Sequence, residues 1–131
     1  MLRTLTLATL VTVSAMLVAP AEASACDSGL CVEDRKGLDW FPDASLTAAQ
    51  IKKEAKKNRK RKASTLYLEI EDGRGSLFID GRWAGVAPVR GFEIKPGRHD
   101  LQVRDGDTVL AEGVLTVPKT SGDVRLTVKH P

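Results

Sequence analysis

A dense basic cluster between positions 52 and 62 is the feature of this chain best suited to bind something. Eight of those eleven residues are cationic: Lys52, Lys53, Lys56, Lys57, Arg59, Lys60, Arg61 and Lys62. The only acidic residue among them is Glu54. Such clusters are attracted to anionic surfaces, at roughly 1 kcal/mol for each Lys or Arg near an anionic membrane. The alternative interpretation is a solvated linker that holds a domain away from a surface.

Because the N-terminal residues before Cys26 are typical of an exported protein, as described below, the expected partner of this basic cluster is an anionic component of a cell envelope: a lipid phosphate, lipopolysaccharide or an acidic wall polymer. An envelope protein is the other candidate partner. We do not expect nucleic acid, because no aromatic residue lies among the lysines to stack on a base. Residues 64 to 131 carry nine basic and ten acidic side chains, so the basic character is local to one segment.

Catalytic chemistry has little support in the sequence. The only histidines are His99 and His130. His99 adjoins Asp100 in a predicted strand, where neighbouring side chains point to opposite faces and cannot form a simple dyad. Neither a Cys/His spacing typical of metal sites nor a glycine-rich loop leading into a helix is present. We therefore expect no enzyme activity, no cofactor and no metal.

Three aromatic residues are candidate contacts for a ligand or partner. Trp83 follows a predicted hairpin turn, where it either packs over the edge of its own core or stacks on a sugar ring. Trp40 and Phe41 either dock their segment against the rest of the protein or contact a partner. The sequence leaves both choices open.

A helix is predicted around the basic cluster. The segment from Thr47 to Gln50 matches a capping box, in which each side chain bonds the other residue's backbone N–H. Ala48, Ile51 and Ala55 form only a thin apolar stripe, so the helix has little to bury. The basic side chains are expected to point in all directions, which predicts a charged helix or linker over residues 47–63.

The rest of the chain predicts an all-β fold. From Thr65 onward apolar and polar residues alternate, as in half-buried strands. Six or seven short strands separated by turn residues predict a small β-sandwich or barrel over residues 64–131. Residues 26–46, interrupted by Gly29, Gly37 and Pro42, are predicted to be an irregular leader.

The turn residues of this region carry a family resemblance. They are Asp80, Gly81, Gly85, Pro88, Pro96 and Gly97. In this order, within residues 66 to 104, they resemble the PEGA domain family. The motif that names the family is replaced here by Asp72-Gly73-Arg74-Gly75. The resemblance implies an extracytoplasmic β-sandwich-like module that mediates binding or adhesion in the cell envelope, with no established catalytic residues.

The N-terminus predicts export. A cationic start at Arg3, an apolar run from Leu5 to Ala19 and small residues before Cys26 indicate a secretory signal peptide over residues 1–25. The mature chain would then have no transmembrane span and be periplasmic or secreted. A Cys26–Cys31 disulfide is favoured, because exported proteins meet oxidising conditions. Acylation of Cys26 is the alternative, although Ala23 stands where lipoprotein signals usually carry Leu.

Together these patterns predict a non-catalytic exported binding or structural module of the bacterial cell envelope, attracted to anionic components by its basic segment. The alternative is a lipid-anchored envelope protein that acts as a protein–protein interaction module, with the basic segment as a spacer.

Overall fold

Nine short strands and one helix make up the computed structural model, which describes Cys26 and residues 29–129. The predicted all-β, sandwich-like fold class is confirmed. The elements in chain order are β1 Gly29–Val32, β2 Asp39–Pro42, α1 Ala48–Asn58, β3 Ser64–Ile70, β4 Ser76–Ile79, β5 Arg82–Val86, β6 Val89–Ile94, β7 Gly97–Asp105, β8 Thr108–Val117 and β9 Asp123–Lys129.

The strands form two sheets. One sheet has four strands in the order β1-β9-β3-β6, and the other has five in the order β2-β8-β7-β4-β5. The pairing of β3 with β9 is parallel, and the other strand pairs in the described residues are antiparallel. The consecutive strands β5 and β6 are therefore outer strands of different sheets, and the chain crosses between the sheets at the cis Ala87-Pro88 bond.

The alternating apolar residues of the strands build the core between the sheets. Leu66 and Leu68 on β3, and Leu101 and Val103 on β7, are all fully buried. Val124, Leu126 and Val128 supply the same inward face on β9. Complete burial of such a side chain stabilises the fold by roughly 1.5–3 kcal/mol.

The described part of residues 26–46 is not the irregular leader that we predicted. Residues 29–32 form β1, which pairs with β9, and residues 39–42 form β2, which pairs with β8. Leu30 and Leu38 belong to the buried core. The sandwich therefore begins at Gly29 rather than at residue 64. Four-residue strands are too short to show a clear period, and their pairing partners lie far away in sequence.

The predicted turn residues have mixed outcomes. Asp80 and Gly81 have φ angles of 55° and 82°, the two positive values that a tight hairpin between β4 and β5 requires. Gly85, in contrast, lies inside β5 and does not reverse the chain. Gly97 opens β7 with a φ of 105°, directly after Pro96.

The predicted disulfide between Cys26 and Cys31 is present, and it joins the start of the described chain to β1. Within the described residues, no helix is long and apolar enough to cross a membrane. The predicted signal peptide and His130 lie outside the described residues.

Candidate functional site

Helix α1 begins where the capping box predicted. The Thr47 hydroxyl accepts from the backbone N–H of Gln50 at 3.1 Å, and the Gln50 side chain accepts from the backbone N–H of Thr47 at 2.9 Å. The helix ends at Asn58, before the predicted limit of residue 63. The last four basic residues, at positions 59–62, therefore lie in the connection between α1 and β3.

Polar contacts attach α1 to β7. The Glu54 carboxylate accepts hydrogen bonds from the backbone N–H of Arg98 at 3.0 Å and from its guanidinium group at 3.3 Å. Asn58, which is 3% exposed, lies directly over Gly97, where a Cβ atom would collide with the Asn58 amide. Just before the helix, the backbone N–H of Leu46 donates to Asp100 at 3.0 Å. The helix is thus docked on the sandwich and is not a free linker.

The pKa of Glu54 lies below its ordinary value of 4.5. The main cause is the hydrogen bond from the backbone N–H of Arg98, which stabilises the charged carboxylate. Burial works in the opposite direction, and the Arg98 guanidinium adds to the lowering. Glu54 therefore remains ionised and bound to β7, although it is the one acidic residue within the basic cluster.

Because α1 is docked, its basic side chains lie on the side of the helix opposite the docked face. Ile51, Glu54 and Asn58 form the face toward the sandwich, whereas Ala48 and Ala55 of the predicted stripe are exposed. At about 100° per residue, the four helical lysines fall within an arc of about 140° on the other side. The expectation that these side chains point in all directions was therefore wrong. All eight basic residues of the cluster are exposed.

A groove of about 1150 Å³ runs between α1 and the outer strands β5 and β6. Core residues Ile79 and Ile94 line it together with Trp83 and Phe92, so much of its lining is apolar. Five cationic residues also line it: Lys52, Lys56 and Arg59 from the basic cluster, Arg82 from β5, and Lys95 just after β6. Because β5 and β6 have no further strand outside them, the sandwich is open along this side.

His99 and Asp80 form an ion pair at one wall of the groove. His99 Nδ1 lies 2.8 Å from the Asp80 carboxylate, and Nε2 lies 2.7 Å from the carbonyl oxygen of Lys95. Both neighbours can accept a hydrogen bond, an arrangement that favours the protonated ring, in which both nitrogens donate. Asp80 also accepts from the backbone N–H of Asp100 at 2.9 Å, which fastens the β4–β5 turn to β7.

The pKa of His99 follows from the same contacts. Burial alone would lower this pKa, because it disfavours the charged ring. The hydrogen bond and negative charge of Asp80, the Lys95 carbonyl and the negative charge of Glu54 together outweigh burial and raise the pKa above its ordinary value of 6.5. While the ring is protonated, both of its nitrogens donate and neither has a free lone pair to act as a base.

The candidate aromatic contacts lie at opposite edges of the five-stranded sheet. Trp83 on β5 is 62% exposed beside the groove. Trp40 on β2 packs against the core, with its ring over Gly113, while Phe41 beside it is 52% exposed. The structure therefore brings Trp83, but neither Trp40 nor Phe41, to the basic cluster.

Sequence reasoning named Trp83 of β5 but missed the other residues of the groove that lie on or next to β5, β6 and β7. Lys95 lies 34 residues from Arg61, yet its ammonium group donates to the Arg61 carbonyl at 2.6 Å. No local spacing signals such a contact. Among the described residues, no group of three or more His, Cys, Asp or Glu side chains is placed to hold a metal ion.

Comparisons with protein-family models, with curated proteins and with solved structures found no match to this chain. The resemblance to the PEGA domain family therefore stays a prediction that rests on its turn residues, one of which, Gly85, lies inside a strand.

Proposed function

We propose that this protein is an exported, non-catalytic binding module of the bacterial cell envelope that attaches to an anionic envelope component through its basic cluster. One observation carries the proposal. Glu54, the single acidic residue within the cluster, is engaged by Arg98 on the sandwich side of α1, while the eight basic side chains are exposed. The cluster is thus not neutralised from within, and its charge is available to a partner.

The size of the attraction is sufficient for attachment. At roughly 1 kcal/mol for each cation near an anionic membrane, eight exposed cations provide several kcal/mol at low salt. Because α1 is docked, its four lysines are presented from a fixed surface, so less side-chain and backbone freedom is lost on binding than with a flexible tail. At physiological ionic strength, with a Debye length of about 8 Å, the attraction weakens.

Export is supported by the disulfide, which is compatible with a location outside the cytoplasm. The same bond argues against the lipid-anchored alternative. The Cys26 sulfur atom is joined to Cys31, and it cannot at the same time form the thioether that acylation requires. We therefore favour a periplasmic or secreted protein held by charge.

Co-sedimentation with vesicles tests the attachment. The mature protein is mixed with vesicles of phosphatidylcholine alone or with added phosphatidylglycerol, over a salt series. We expect binding only to the anionic vesicles and a steep loss of binding with added salt. Replacing the eight basic residues by Gln should abolish it.

Two variants of equal net charge control for a loss of binding that is caused only by the lower net charge. One variant replaces the four helical lysines by Gln, and the other replaces four exposed basic residues elsewhere by Gln: Lys36, Arg74, Arg90 and Lys119. The two variants have the same net charge. Equal loss of binding in both would show that the basic cluster is not the site, and retention of binding by the eight-Gln variant would refute the proposal.

A further inference from the structure

The groove beside the basic cluster has the chemistry of a site for an anionic lipid. We propose that it takes up the acyl chain of an anionic phospholipid, whose phosphate is held by Lys52, Lys56 and Arg59. This inference rests on the proposed attachment to anionic envelope material and names the ligand class of that site.

The interior of the groove suits an alkyl chain. Ile79, Trp83, Phe92 and Ile94 present apolar surface there, although Ile79 and Ile94 belong to the core cluster. The volume of about 1150 Å³ exceeds the roughly 300–1,000 Å³ typical of small-molecule pockets, so a long chain has room. The 62% exposure of Trp83 leaves a large apolar side chain in water next to this space.

The charges of the groove suit an anionic headgroup. Two of its three acidic residues are already bound within the protein, Glu54 to Arg98 and Asp80 to His99, and the third, Glu93, is outnumbered by the five Lys and Arg residues of the lining. Lys52 and Lys56 on α1, and Arg59 directly after it, are exposed along this wall, at spacings of four and three residues that place them on one side. A phosphate at the mouth of the groove would meet these cations while its chain lies inside.

An alkyl chain fits this groove better than a polypeptide does. A peptide buries an N–H and a C=O group at each residue, and each needs a hydrogen-bonding partner. An alkyl chain buries no polar group. A groove with an apolar lining and exposed cations beside it is therefore complementary to an amphiphile that has one charged end.

Soluble alkyl phosphates test the assignment without a membrane. Octyl phosphate and decyl phosphate, kept monomeric, are titrated against the mature protein while tryptophan emission is recorded, with decyltrimethylammonium as the cationic counterpart. We expect saturable binding with a blue shift that Trp83→Phe removes. Affinity should rise roughly tenfold from octyl to decyl, because each buried methylene contributes about 0.8 kcal/mol. The cationic amphiphile should bind at least tenfold more weakly than decyl phosphate.

Variants at exposed positions locate the binding. Ala55 lines the groove from α1, and Ala55→Phe should fill it and weaken decyl phosphate binding at least tenfold. Val109→Phe adds a ring at an exposed position on β8 outside the groove and should leave binding unchanged. Affinity that ignores chain length, equal binding of both headgroups, or an unaffected Ala55→Phe variant would each overturn the assignment.

Two further outcomes separate this inference from the proposed function. If the wild type binds anionic vesicles and the eight-Gln variant does not, while decyl phosphate fails to bind, then the attachment holds and the groove assignment is wrong. If an acidic, tryptophan-containing peptide binds and Ala55→Phe blocks it, while decyl phosphate does not bind, then the occupant is a polypeptide and the lipid assignment is overturned.

Discussion

The two edges of the five-stranded sheet each carry an exposed aromatic residue, but they are built differently. At the β2 edge, Trp40 lies over Gly113 and packs against the core, so its ring is partly covered by the protein itself, while Phe41 beside it is 52% exposed. At the β5 edge, Trp83 remains 62% exposed beside a groove lined by cations. A tryptophan that stabilises a fold is covered by it, whereas one left in water next to charge is better placed to contact a ligand. The contrast predicts a role in stability for Trp40 and, under the proposed function, a role in binding for Trp83.

Substitutions of the two tryptophans should differ most in their effect on stability. Trp40→Ala should lower the free energy of unfolding by about 2–3 kcal/mol, because it removes a large partly buried ring from above the Gly113 backbone. Trp83→Ala should change it by no more than about 0.5 kcal/mol, as expected for an exposed side chain. Urea denaturation of both variants measures the difference. Equal losses would remove the distinction between the two edges.

A second test addresses the docking of α1, which forms one wall of the groove at the β5 edge. Gly97→Ala should destabilise the protein by about 1–3 kcal/mol, because Gly97 has a φ of 105° and its added methyl group would collide with Asn58. Gly85→Ala is the matched control, since its methyl group would meet only ordinary van der Waals contact with Val89 at 3.5 Å. Thermal melts of both variants check this. A Gly97→Ala protein as stable as the wild type would mean that α1 is not held where the structure has it.

A smaller effect is expected at Glu54, which joins α1 to β7. Glu54→Gln should cost about 1 kcal/mol at neutral pH, a value kept low because Arg98 is 45% exposed to solvent. The folded-state pKa of Glu54 is lowered, so its contribution is present above the ordinary value of 4.5 and is lost as the pH falls through the folded-state pKa. Urea denaturation at acidic and neutral pH should therefore show the wild type and the variant converging in acid. A difference between them that does not change with pH would contradict this assignment.

His99, in the wall of the groove, is expected to make the stability of the fold depend on pH. Its folded-state pKa is raised, so its stabilising contribution is fully present below the ordinary value of 6.5 and is lost as the pH rises through the folded-state pKa. The wild type should lose stability over that range relative to His99→Gln, by about 1 kcal/mol or less. Denaturation midpoints across neutral pH measure this. Parallel pH profiles would show that the pair with Asp80 adds no pH-dependent stability.

The core strands were predictable because their signal is local. Alternation at Leu66 and Leu68, and again at Leu101 and Val103, identifies which side chains face inward whatever the strands pair with. The Thr47–Gln50 capping box and the Asp80-Gly81 turn are local in the same sense, and each is in place. Strands β1 and β2 were not predicted, because a four-residue segment that is stabilised by strands far away in the chain has no comparable alternation of apolar and polar residues.

The candidate site likewise has parts that could be predicted from local sequence and parts that could not. A small all-β protein, a capped helix and a run of eight cations could be predicted from the residues alone, because periodicity, capping and charge are properties of neighbouring residues. The docking of α1 through Glu54, the outward position of its lysines, and the place of Trp83 and Lys95 beside the same groove depend on how the chain packs. Those contacts connect residues separated by tens of positions, and they form only when the two sheets have packed and placed β5, β6 and β7 beside the helix.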